Sequence, residues 1–103
     1  MAGAPRDLAG LELADFAAAL GDRFHVATGA GELALALIRA DALPARPAPG
    51  GRRPFSLVFR GPRSPSLPQR VHRLESARLG VLELFLVPID PDENGARYEA
   101  VFA

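Results

Sequence analysis

The chain has 103 residues, 49% apolar and 23% charged, with a formal net charge of zero, the size and composition of one globular domain with a modest core. It has no cysteine, which excludes disulfides, thiolate nucleophiles, iron–sulfur ligation and cysteine-ligated zinc. Every basic residue is Arg and none is Lys; this excludes a lysine-bearing phosphate loop and, with abundant Ala, Leu, Gly and Pro, reads as GC-rich bacterial codon usage.

Residues 1–10 show no periodicity and are expected to form a flexible lead-in. They have no basic segment followed by an apolar run, so no secretory leader is indicated. No apolar run approaches the ~18 residues of a spanning helix. The expected location is cytoplasmic, with no membrane partner. Leu13 to Leu20 predicts a short helix with Leu13, Phe16, Ala17 and Leu20 on its apolar stripe, Asp15 or the preceding turn as its cap and Gly21 at its end. Arg23–Thr28 alternates, with Phe24, Val26 and Thr28 on one face. After the Gly29-Ala30-Gly31 turn, Leu33, Leu35 and Leu37 recur with period two, which favours a hairpin strand over the helix that Ala and Leu propensity would suit.

Pro44, Pro47, Pro49, Gly50, Gly51 and Pro54 interrupt regular structure and predict a mobile, exposed Pro/Gly/Arg-rich loop at about 44–54. Phe55–Arg60 is a strand with Phe55, Leu57 and Phe59 on one face. A second irregular stretch holds Pro62, Pro65 and Pro68. Val71–Glu75 predicts a strand, followed by a turn at Ser76–Gly80. Val81–Val87 is apolar on both faces except at Glu83, which predicts a place at the sheet centre; Pro88 and Asp90-Pro91 are expected to stop it. Asn94-Gly95 marks a tight hairpin turn. Arg97–Ala103 is the last strand, with Tyr98, Ala100 and Phe102 inward. The expected fold class is therefore mainly β: about six antiparallel strands in a small meander barrel or two-layer sandwich, with one short N-terminal helix, residues 11–103 forming a single β-domain. Leu57, Phe59, Leu84, Leu86, Tyr98 and Phe102 are expected to be buried together.

Charge is segregated along the chain. Arg39 to Arg73 contains eight Arg and a single acid, Asp41, whereas both flanks are acidic. A basic centre suits an anionic partner; it also lets the three parts neutralise one another within the fold. Arg46, Arg52, Arg53 and Arg63 are the candidate partner-binding residues. With Arg60, Arg70 and Arg73 they would also suit phosphate, but the nearby aromatics, Phe55 and Phe59, are needed in the core and no recognition helix is predicted, which argues against nucleic acid.

Other chemistries are weakly signalled. Asp90-Pro91-Asp92-Glu93-Asn94-Gly95 resembles the first half of a calcium loop, but the twelfth position is Val101 where a bidentate Glu is needed; an acidic hairpin turn is the expected structure. His25 and His72 would share a metal with Glu75 only if their strands were neighbours, and they lack a compact ligand spacing. Ser64, Ser66 and His72 would supply a nucleophile and base, but no Ser sits in a nucleophile elbow and the serines fall in a proline-rich loop. No catalytic residue, metal site or cofactor is expected.

Leu11-Glu12-Leu13-Ala14-Asp15-Phe16, Pro54-Phe55-Ser56-Leu57-Val58-Phe59-Arg60-Gly61-Pro62, Leu67-Pro68-Gln69, Arg73-Leu74-Glu75, Gly80, Glu83-Leu84-Phe85-Leu86-Val87-Pro88-Ile89 and Tyr98-Glu99-Ala100-Val101-Phe102 together resemble an uncharacterised family of small bacterial β-domains, over residues 11–103. The resemblance implies an encoding gene near tail-collar-type (microcystin-dependent) proteins related to phage tail fibres. It carries over no site residue. It implies a non-catalytic binding or assembly module in a phage-tail-like or fibre-forming system, with a protein partner such as a tail-collar-type fibre protein. The alternative expectation is a small anion- or nucleic-acid-binding protein using the central Arg cluster.

Overall fold

The computed structural model describes residues 4–29, 31–44 and 53–102. Six antiparallel strands close into a barrel: β1 (Arg23–Thr28), β2 (Gly31–Ala42), β3 (Phe55–Gly61), β4 (Arg70–Ser76), β5 (Gly80–Asp92) and β6 (Gly95–Phe102). Their order around the wall is β1-β2-β3-β6-β5-β4, and β4 returns to β1. The barrel, not the sandwich, is the architecture adopted. It consists of two three-stranded meanders, and β3 and β4 stand across the barrel from one another. Residues 62–69, which join them, therefore cross one mouth of the barrel.

Alternation decides which side chains point inward. Phe24 and Val26, Leu35 and Leu37, Phe55, Leu57 and Phe59, Leu82, Leu84 and Leu86, and Tyr98, Ala100 and Phe102 are all buried in one core. The expected core set is buried as a unit. In β2 the register shifts between Leu37, opposite Phe59, and Arg39, opposite Val58. Ile38 is thus an extra residue, and this bulge restores the inward face to Ala40, opposite Leu57. Phe24 meets Phe59 edge-on, with ring centroids 5.1 Å apart.

Two wall junctions are only half paired. β1 meets β4 over Phe24–Val26 alone, and β5 pairs with β4 over Gly80–Leu86 but with β6 from Val87 onward. A segment outside the strands closes each opening. At one end the N-terminal segment supplies Leu11 and Phe16, both fully buried; Phe16 packs on Phe55 and Phe102, which stack at 4.6 Å. At the other end the crossing segment supplies Leu67, also buried.

The N-terminal elements differ from expectation. The α-helix α1 covers only Leu13–Ala17, and its buried residues are Phe16 and, in the following turn, Ala19; Ala17 and Leu20 face solvent. Five residues leave no room for a full apolar stripe. Asp15 caps from inside the first turn, accepting from the Glu12 N–H at 2.8 Å. Within the lead-in, the Arg6 N–H donates to the Val81 carbonyl at 2.8 Å and the guanidinium to that of Leu79 at 3.2 Å, so this segment is tied to β5. β5 also runs through Pro88 and Pro91 to Asp92, with irregular register after Ile89. Among the described residues no helix is long and apolar enough to cross a membrane.

Candidate functional site

The crossing mouth carries the most built-up polar geometry. The Leu67 N–H donates to the Tyr98 hydroxyl at 2.9 Å, within the core. His72 points inward beside it, 6% exposed, with Nε2 2.7 Å from the Pro68 carbonyl oxygen. Tyr98 thus holds the crossing segment down by its one polar atom. Tyr98→Phe is expected to cost about 1–3 kcal/mol, since it strands a buried amide. Chemical denaturation checks the loss, and hydrogen exchange at the Leu67 amide should accelerate.

On the same side, Arg60 Nε donates to both Asp92 carboxylate oxygens at 3.2 and 3.1 Å, and its Nη2 also reaches Oδ2. The Asn94 N–H adds a bond to Oδ1 at 2.9 Å. The Arg60 hydrogen bond chiefly holds the Asp92 carboxyl below its ordinary value, the Asn94 bond and the Arg60 and Arg97 charges assisting and burial opposing. A carboxyl depressed by folding adds stability above its unfolded value, near pH ~4, and that contribution is lost as pH falls through the lower folded value. Asp92→Asn should therefore lower the melting temperature at pH 7, and the gap to the parent chain should narrow under acid.

Two clefts flank the crossing segment. The larger, about 260 Å³, has Arg63 and Arg97 on its rim and Leu67, Pro88, Ile89 and Tyr98 among its lining. The smaller, about 120 Å³, lies where β1 and β4 cease to pair with each other, with Thr28, Arg70 and His72 in its wall. Arg63 donates to the Asp92 carbonyl at 2.6 Å, and Arg97 to the Asp90 carbonyl at 2.8 Å.

The outer wall carries a second feature. Val71 and Phe85 face each other across β4 and β5 and are 57% and 50% exposed. Val101, 60% exposed, also points outward, on β6, beyond the point where β5 and β6 cease to pair. The expected place of Val81–Val87 at the sheet centre did not anticipate this exposure. Every strand of a closed barrel keeps one face toward solvent, so an apolar residue there is exposed.

The two described residues of the sequence-predicted set, Arg53 and Arg63, do not share one surface. Arg53 precedes β3 and Arg63 follows it; seven strand residues, at ~3.3 Å each, put them on the order of 20 Å apart at opposite ends. Arg53 borders a hollow with Glu12 and Leu13. Arg46 and Arg52, and most of the loop expected at 44–54, lie outside the described residues. β1 and β4 are neighbours, yet His25 faces outward, 3.3 Å from Glu32, and His72 inward, so the two do not converge. Among the described residues no three His, Cys, Asp or Glu side chains cluster as metal ligands. Arg97 was missed as a site residue because it belongs to an acidic stretch of chain; β3–β6 pairing places it opposite Arg60.

The family model described as "Domain of unknown function (DUF6916)" matches residues 11–102. The chain belongs to the DUF6916 family. No curated protein and no solved structure matches the chain. The matched span holds all six barrel strands of this DUF6916 domain, both flanking clefts and the outward Val71, Phe85 and Val101.

Proposed function

We propose that the chain is a non-catalytic protein-binding module, serving assembly in a fibre-forming or phage-tail-like system. The carrying observation is the outward apolar pair Val71–Phe85, with Val101 also outward on β6, each at least half exposed. A barrel whose inward residues already fill its core gains little from an outward Phe85 beyond its cross-strand contact with Val71, whereas such side chains gain burial against a partner. The partner class comes from the resemblance to domains encoded near tail-collar-type proteins.

Purified protein mixed with a tail-collar-type fibre protein from the same genome tests the reading. Association at micromolar concentration is expected, with little loss in moderate salt because the contact is apolar. No association, or a salt-sensitive shift of generic DNA or RNA in its place, would overturn it and favour an anion-binding role.

A further inference from the structure

We infer that the cleft beside the crossing segment, rimmed by Arg63 and Arg97, is a second binding site, built for an extended peptide segment carrying a carboxylate next to an apolar side chain. The site is separate from the outer apolar face and does not depend on it.

Neither rim guanidinium is in direct contact with a carboxylate among the described residues, although the Arg97 charge acts on Asp92 at longer range. Arg63 and Arg97 are each anchored by a backbone carbonyl, those of Asp92 and Asp90. A carbonyl fixes a guanidinium without cancelling its charge, and each guanidinium has five N–H donors. Among the described residues neither forms an ion pair, whereas Arg39, Arg60 and Arg78 are paired with Asp41, Asp92 and Asp22. Of the two acids whose carbonyls anchor the rim, Asp92 has its carboxylate taken by Arg60, and the exposed Asp90 has no ion pair with either rim arginine. Among the described residues no carboxylate lines the cleft, and its lining is otherwise largely apolar: Leu67, Pro88, Ile89, Pro91 and Ala96.

Two pre-positioned forks over an apolar floor match a ligand with the same two parts. The volume, about 260 Å³, suits one or two side chains and not a folded domain. Nucleic acid fits less well. Single strands need exposed aromatic rings for stacking and a continuous basic track. Tyr98 is 1% exposed, and Arg53 lies at the far end of the barrel.

The test is an NMR titration of the isotope-labelled full chain with a capped Ala-Leu-Asp-Leu-Ala peptide and its Asn counterpart. Inorganic phosphate and an oligothymidylate serve as competing ligands. Saturable shifts at Leu67, Ala96, Arg97 and Tyr98 are expected for the Asp peptide, in the millimolar range or tighter, and weakened by salt. The Asn peptide should bind at least several-fold more weakly. Arg63→Gln and Arg97→Gln should each weaken binding roughly five- to tenfold, with the spectrum remaining that of a folded chain. Arg53→Gln and Phe85→Ser should leave it unchanged. Absent shifts, equal binding of the Asn peptide, or indifference to both rim substitutions would overturn the site. Phosphate binding as tightly as the peptide would reduce it to a bare anion site, and tighter binding of the oligonucleotide would replace the peptide; either result rejects the inference.

Discussion

Phe59→Ala is expected to cost about 3–5 kcal/mol, the range for deleting a large aromatic side chain from a packed core. Phe59 is fully buried. Its strand is paired on both sides, with Leu37 of β2 and Tyr98 of β6 as its direct partners, and its ring meets that of Phe24 from β1. The ring therefore packs against three other strands, β1, β2 and β6, and no single neighbour can shift to fill the void. A domain of this size has only ~5–15 kcal/mol in total, so the variant should be partly unfolded well below the parent's midpoint. Urea titration checks the figure. A loss under about 1 kcal/mol would mean that Phe59 is not in the core and that the β3 register is wrong.

Gly95→Ala is the second large effect, and its cause is backbone crowding. Gly95 begins β6 at the Asn94-Gly95 turn, with φ of 150°. A Cβ there would stand 2.2 Å from the Gly61 carbonyl oxygen, which belongs to a paired strand and cannot rotate away. Backbone strain and overpacking together should cost about 2–4 kcal/mol. Gly80→Ala is the control. Gly80 also has a positive φ, 85°, but its Cβ would meet nothing within 4 Å. Only the conformational penalty of about 1–2 kcal/mol then remains. Melting temperatures of the two variants should separate clearly; equal losses would remove the clash as the cause.

The strands were legible because their inward residues alternate without interruption: Phe24 and Val26, Phe55 to Phe59, Tyr98 to Phe102. The closing hairpin was legible from Asn94-Gly95. What closes the barrel was not. Leu11 and Leu67 are single apolar residues in irregular segments, so no period marks them, and Leu67 lies between Pro65 and Pro68. The helix was overextended because the Ala17-Ala18-Ala19 run favours helix locally, while Gly21, with φ of 86°, donates its N–H to the Leu37 carbonyl and turns the chain into β1.

The arginine cluster shows the limit of counting charge along a chain. Arg53 and Arg63 are ten positions apart in sequence, yet β3 carries them to opposite ends. Arg63 and Arg97 are distant in sequence, yet the pairing of Gly61 with Ala96 brings them to one cleft. The signal for Arg97 was the register of β3 on β6, which alternation alone does not supply. Phe85 was visible as an apolar residue, but its exposure follows from closure of the wall and not from local pattern.

On the proposed reading the outward apolar side chains of β4, β5 and β6 bind a protein partner, and Phe85 is the largest of them. The direct measurement is the affinity of Phe85→Ser, against that of the parent chain, for the purified tail-collar-type fibre protein, by isothermal titration calorimetry. Stability should change by less than about 1 kcal/mol, because the side chain is half exposed and makes one cross-strand pair. Affinity should fall at least tenfold, as for an aromatic anchor at an interface centre. Undiminished affinity of a fully folded Phe85→Ser variant would contradict the account.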